Sequence, residues 1–279
     1  MQHVFGPVFF GLAASLCWGS GDFNGGLASR RANASSVVLG SYSVGFVFLV
    51  TLALISREPA PDRASLLWGA VAGVAGVIGL LSFYSALSLG KMGIAAPVSA
   101  VLTASLPVLF SAVTTQLPTL LQLGGFVLAL LAIGLIARPE RTVGPPKGLW
   151  LALLAGCCFG GFFILISRVQ HDSTFWPLAT ARFTSVVVLA TMLRLQRKPL
   201  LPAMAVAPLV VLAGLLDAGG NAFFVLAAHS GRLDVAAVLS SLYPAATVLL
   251  AALLLRERVS RSQGAGILLV LLAIPLIST

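Results

Sequence analysis

Apolar runs of about twenty residues, separated by short clusters of charge, proline and turn residues, recur along the whole chain. Breaking the chain at those clusters predicts helices over residues 5–28, 36–56, 64–89, 92–115 and 120–137, then over 148–168, 174–194, 203–229, 233–254 and 260–278. Each is near the ~20 residues that cross the ~30 Å hydrocarbon layer of a bilayer. Connectors such as Arg57-Glu58-Pro59-Ala60-Pro61-Asp62-Arg63 leave no room for a soluble domain, so function is expected in or beside the membrane. The predicted fold is an all-α membrane protein with ten transmembrane helices.

Sliding the chain against itself by about 141 residues exposes an internal repeat. Gly90-Lys91 falls on Gly231-Arg232, Ala95-Ala96 on Ala236-Ala237, and Ser99 on Ser240. Further along, Gln122 falls on Gln263, Gly125 on Gly266, and Leu130-Leu131-Ala132-Ile133 on Leu271-Leu272-Ala273-Ile274. Hydrophobicity alone accounts for Leu and Ala matches but not for Gly, Ser and Gln. Two units are therefore expected, residues 1–140 and 141–279, each of five helices. An odd number of crossings per unit makes the second enter the bilayer from the opposite side, so the repeats are inverted. Two inverted halves give two conformations of nearly equal energy, the basis of alternating access.

Composition agrees: 9% of residues are charged and 58% hydrophobic, and the mean hydropathy is +1.03. The net charge of +9 does not indicate a nucleic-acid partner, because the basic residues sit between apolar runs and form no stripe interleaved with aromatics. Twelve of them (Arg30, Arg31, Lys91, Arg138, Arg141, Lys147, Arg194, Arg197, Lys198, Arg256, Arg258, Arg261) fall on one side. Only Arg57, Arg63, Arg168 and Arg232 fall on the other, which predicts both termini outside the cytoplasm. Cys17, Cys157 and Cys158 lie inside apolar runs and are expected to pack rather than to form disulfides. Leu16 before Cys17 does not fit a lipoprotein cleavage site, so the first run is read as a membrane helix.

Several motifs together resemble the drug/metabolite transporter superfamily, specifically its ten-helix EamA-like exporters. They are Trp18-Gly19-Ser20; Phe83-Tyr84-Ser85-Ala86-Leu87 with Ala95-Ala96-Pro97 and Leu106-Pro107-Val108; and the stretch from Leu255-Arg256-Glu257 through Ser260, Gln263, Gly264 and Gly266. The first half departs from the pattern, with Gln116 where the second has Glu257. The resemblance implies a central cavity between the halves, export of a small-molecule substrate from the cell across the inner membrane, and no bound cofactor. It also implies cytoplasmic termini in many members, against the charge count.

A charge at the bilayer centre costs roughly 2.5–3.5 kcal/mol even on the lenient insertion scale, so each polar residue within these runs needs a cavity or a partner. Asp217 and Asn221 share a face of the eighth helix, Asp22 and Asn24 lie in the first, and Arg182 lies in the seventh. Two readings stand: a polar wall that binds substrate, with Asp217 or Asp22 as a proton-coupling site, or a structural pair between Arg182 and an aspartate. Trp18, Tyr42, Tyr84 and Tyr243 suit a cavity that stacks on an amphipathic solute. Ser99, Thr103, Ser240 and Ser241 occupy the repeat-equivalent fourth and ninth helices beside Pro97, Pro107 and Pro244. There a gating hinge with substrate-facing hydroxyls competes with a static kink whose hydroxyls bond their own helix.

His3, His171 and His229 are far apart and have no acidic or Cys partner at ligand spacing, so no metal site is expected. Gly19-Ser20-Gly21-Asp22 has no deep histidine to serve it as a catalytic serine, so an enzyme is disfavoured, and a channel or structural subunit would leave the inverted duplication unexplained. The expected protein is a monomeric transporter with the bilayer as its other partner, its cavity lined by helices 1, 3, 4, 6, 8 and 9 and its helices 5 and 10 peripheral.

Overall fold

The computed structural model describes residues 2–89, 92–115, 117–136, 148–169, 172–254, 256 and 259–277. The described residues are helical apart from short connectors: α1 (Gln2–Ser29), α2 (Ala34–Ile55), α3 (Arg63–Leu89), α4 (Met92–Thr114) and α5 (Leu120–Ile136) in the first half. The second half holds α6 (Leu149–Ile166), α7 (Phe175–Leu195), α8 (Ala207–Ser230), α9 (Leu233–Ser240), α10 (Tyr243–Leu254) and α11 (Arg261–Ile277). Six described spans are long and apolar enough to cross a membrane: 34–55, 63–83, 149–166, 175–195, 204–230 and 233–254.

Local chemistry sets the ends. Asn33 caps α2, its side-chain oxygen accepting from the N–H groups of Ser35 at 3.1 Å and Ser36 at 3.3 Å. Asp62 caps α3 by accepting from the Ser65 N–H at 2.8 Å, and the hydrogen bonds from Ser65 hold its carboxyl below the usual value. α2 and α7 end alike: Arg57 (φ 51°) and Arg197 (φ 52°) take the left-handed conformation. Just beyond them, Glu58 and Lys198 return their N–H groups to Ala53 and Leu193.

The ninth predicted helix, 233–254, is corrected: it is two helices, α9 and α10, separated by a turn at Ser241 and Leu242. Pro244 offers no N–H to the preceding turn, so the helical ladder is interrupted and the chain restarts as α10 from Tyr243, with the Ala245 N–H bonding the Leu242 carbonyl at 2.9 Å. Pro97 and Pro107 have no such effect; α4 runs unbroken through both.

Packing follows the repeat. α1 lies on α8 as α3 lies on α6, α6 on α4 as α1 lies on α9 and α10, and α2 on α8 as α3 lies on α7. Three of the equivalent pairs also meet, α2 with α7, α4 with α9 and α5 with α11, the last of them antiparallel. In the α5–α11 pair, Gly125 near the start of α5 faces Leu276 and Ile277 at the end of α11, while Gly266 near the start of α11 faces Ala132 and Ile136 at the end of α5. A Cβ on either glycine would collide with the partner, so the close approach depends on both. Two apolar clusters flank the centre: Phe163, Ile166, Phe224 and Val225 among others on one side, and Phe126, Ile133, Leu239 and Ile277 on the other.

Candidate functional site

Between the halves lies a cavity of about 170 Å³, room for roughly ten waters or one small organic molecule. Trp18 and Asp22 of α1, Tyr42 of α2, Gly76 and Leu80 of α3, Thr103 of α4 and Phe159, Phe162 and Phe163 of α6 line it. Arg182 of α7, Asp217 and Asn221 of α8 and Tyr243 of α10 complete the wall. α5 and α11 contribute no lining residue, whereas α2 and α7, outside the predicted set, supply Tyr42 and Arg182.

Arg182 is the electrostatic centre. Its guanidinium forms an ion pair with Asp217, the two side chains being 9% and 31% exposed. The same guanidinium lies over the Tyr42 ring, 4.2 Å from its centroid. A desolvated cation placed on an aromatic face and against a carboxylate is stabilised twice. Asn221 donates from Nδ2 to the Asp217 backbone carbonyl at 2.6 Å, which holds its amide beside the pair. Asp22, in contrast, is exposed to the cavity. It makes no hydrogen bond or ion pair among the described residues and feels Asp217 as its charged neighbour.

Aromatic rings form the rest of the wall. Trp18 stacks on Phe163 with centroids 5.4 Å apart and planes 7° from parallel, and Tyr243 meets Trp18 edge-on at 6.5 Å. Trp18 also lies against Gly220, where any side chain would displace the indole. Gly79 receives Phe159 in the same way in the other half.

Eight of the residues expected from sequence thus share one cavity: Trp18, Asp22, Tyr42, Thr103, Arg182, Asp217, Asn221 and Tyr243. The others that the structure describes lie outside its lining. Asn24 is outside the lining and bonds the Ser20 carbonyl of its own helix at 2.8 Å. Ser99 is buried away from the lining, and its carbonyl accepts the Thr103 hydroxyl at 2.8 Å, so even Thr103 turns its hydroxyl back on α4. Ser240 and Ser241 are fully buried at the α9–α10 break, their hydroxyls unpartnered among the described residues. The side chains of Tyr84 and Pro97 fall outside the described residues.

Sequence reasoning missed Phe159, Phe162, Phe163, Gly76 and Leu80, yet the repeat carried the signal for four of them. At the shift of about 141 residues, Trp18 matches Phe159, Asp22 matches Phe163, Gly76 matches Asp217 and Leu80 matches Asn221. The two halves therefore line the cavity at equivalent positions with different chemistry. Wherever one half offers Asp or Asn, the other offers Phe, Gly or Leu. Among the described residues no group of three or more His, Cys, Asp or Glu could hold a metal ion.

A helical duplication folded around a cavity with polar and aromatic walls defines a membrane-transporter class of protein, and sequence comparison agrees. The EamA-like transporter family matches residues 6–138 and again 146–279, so the chain belongs to that family. Its members are membrane transporters of the drug/metabolite superfamily. A solved crystal structure of a protein shares the fold at a TM-score of 0.79 and 18% identity, covering 97% of this chain and 95% of its own. No curated protein matches the sequence.

Proposed function

We propose that the protein is a monomeric secondary active transporter that exports small amphipathic solutes, amino acids or related metabolites, across the cell inner membrane. Ten crossings in two inverted five-helix repeats would let the halves rock about the central cavity and open it to each side in turn. The observation that carries this reading is the cavity itself: both halves line it at repeat-equivalent positions, with the Arg182–Asp217 pair and Asp22 set among aromatic rings. A buried ion pair adds little to stability compared with apolar packing. Its place on the cavity wall therefore favours a role in holding solute and repacking between states. The break between α9 and α10 supplies a bend in the helix equivalent to unbroken α4, where a shift of Tyr243 would change the cavity wall.

Purified protein in liposomes tests the reading. Saturable counterflow of a radiolabelled amino acid, amine or other small amphipathic solute is expected, with Asp217→Asn and Asn221→Ala changing its kinetics in folded protein. Unsaturable flux or ohmic current would replace the transporter with a channel, and unchanged kinetics in both variants would move the solute site elsewhere.

A further inference from the structure

A hydroxyl inside a bilayer is normally satisfied by its own helix. Ser43, Thr51, Thr103, Thr180 and Thr184 follow that rule, each donating to the carbonyl four residues earlier at 2.8–3.0 Å. Thr247 on α10 bonds the Tyr243 carbonyl of its own helix and the Gly19 carbonyl of α1. Ser240 and Ser241 depart from the rule. Both are fully buried, and neither hydroxyl has a partner among the described residues. A buried hydroxyl left unbonded costs about 1–3 kcal/mol, and here two stand at consecutive positions.

The backbone beside them is short of donors as well. The N–H that the Ser240 carbonyl would accept in a continuous helix belongs to position 244, which is proline. The Leu242 N–H bonds Leu239 at 3.3 Å and so leaves the Val238 carbonyl without its usual donor. Two hydroxyls and two carbonyls therefore gather at the end of α9, where the helix dipole is negative. α1 closes over them: a Cβ on Gly11 would lie 3.1 Å from Leu239 Cβ, and one on Gly19 would lie 2.6 Å from the Tyr243 carbonyl oxygen. Ser15, buried and on the same face of α1 between those glycines, brings a third hydroxyl to the level of the break.

We infer that the α9–α10 break binds a dehydrated monovalent cation of the size of sodium, held by the Ser240 and Ser241 hydroxyls and the carbonyls left without donors. Oxygen atoms of an interrupted helix replace the hydration shell of such an ion. The valence follows from charge. All of these ligands are neutral, so a divalent ion would keep twice the charge within the bilayer. Asp234, at the other end of α9, is engaged by Arg232 and by the Val235 N–H. The close approach of α1 favours a small ion over a large one. A water molecule would also satisfy the hydroxyls, but the surplus of acceptors and the sign of the α9 dipole favour a cation. The ion would splint α9 to α10 and so fix Tyr243 on the cavity wall. None of this depends on which solute the cavity holds.

Binding of radioactive sodium to the purified protein in detergent, with N-methylglucamine chloride holding the ionic strength constant, tests the inference. Saturable binding of close to one ion per chain is expected, displaced by unlabelled sodium and at least tenfold less well by potassium. Ser240→Ala and Ser241→Ala should each weaken it at least tenfold. Thr51→Ala, which removes a hydroxyl that bonds its own helix, should leave it unchanged. Thermal unfolding gives a second readout. Sodium should raise the unfolding temperature of the wild type as its concentration rises and should not move that of either serine variant. In the glucamine salt alone both variants should be at least as stable as the wild type, because each loses an unsatisfied hydroxyl. Absence of saturable sodium binding in folded wild type would assign the hydroxyls to water and overturn the inference. Undiminished binding in both serine variants, or an equal loss in Thr51→Ala, would overturn it too. Should a serine variant not fold, the wild-type stoichiometry and the potassium comparison still decide.

Discussion

The carboxylate of Glu58 accepts the backbone N–H of Trp176 at 2.9 Å, tying the connector after α2 to the first turn of α7 in the other half. It also accepts from Phe175 at 2.9 Å and from Thr174, while the Trp176 indole N–H donates back to the Glu58 carbonyl at 3.4 Å. Orphan N–H groups and the positive end of the helix dipole both favour an anion there. The matching contact in the other direction, Ser36 Oγ to the Pro199 carbonyl at 2.5 Å, involves no charge. Glu58→Ala should therefore destabilise the protein by about 1–2 kcal/mol and Ser36→Ala by about half of that. Thermal unfolding in detergent measures both, and equal effects would deny the carboxylate its special part.

Arg182 and Asp217 offer a test of tether against function. Arg182→Ala leaves Asp217 without its cation, and breaking such a pair from one side costs about 3 kcal/mol. Replacing both residues with leucine removes the charges together and should restore most of that loss. Folding and transport should then part company: the double variant should be nearly as stable as the parent in unfolding assays yet lose solute exchange. Restored exchange in that variant would mark the pair as a tether alone.

Much of this arrangement was legible in the sequence. Lipid penalises polar side chains, so Asp22, Arg182, Asp217 and Asn221 stood out because few others lay within apolar runs. All four line one cavity. Hydroxyls gave a weaker signal, since a helix can satisfy them internally; Thr103 bonds Ser99 and so needs no substrate to satisfy its hydroxyl. Phenylalanines gave almost none, because facing lipid, packing and lining a cavity favour the same residue. The repeat would have separated Phe159 and Phe163 from the rest through their matches to Trp18 and Asp22. The α9–α10 break was half legible: Pro244 predicted a bend, but an interruption of α9–α10 beside an unbroken α4 depends on packing around Ser240, Ser241 and Leu242, all deeply buried. Glu58 read as an ordinary connector residue, because its partners are backbone groups more than a hundred positions away.

Gly220 gives Trp18 its place on the cavity wall. An added Cβ would fall 2.5 Å from Trp18 Cδ1, so in Gly220→Ala the indole must shift. The stack on Phe163 would loosen, and the apparent affinity for an aromatic solute should fall about tenfold, in line with the loss of one aromatic contact of about 1–1.5 kcal/mol. Gly219→Ala on the same helix is the control, because its Cβ would find only Cys17 Sγ at 4.0 Å. Counterflow titrations of the two variants should separate them, and equal affinities would remove Trp18 from the solute site.

Whether the halves are inverted, as proposed, can be tested by cross-linking along α5 and α11. Gly125 faces Ile277, and Gly266 faces Ile136, so each contact is the repeat image of the other. Only an antiparallel pair brings the start of one helix to the end of the other at both places. A disulfide requires Cα atoms roughly 4.4–6.8 Å apart, which makes pairing sensitive to direction. In a background lacking Cys17, Cys157 and Cys158, the pairs Gly125→Cys with Ile277→Cys and Gly266→Cys with Ile136→Cys should each cross-link under mild oxidation. Gly125→Cys with Gly266→Cys should not, because those positions lie at opposite ends of the pair. If instead only that last combination formed a bond, the two helices would run parallel and the halves could not be inverted. The cavity would then lose the near-equivalence of its two openings, which is the physical reason for expecting it to face each side in turn.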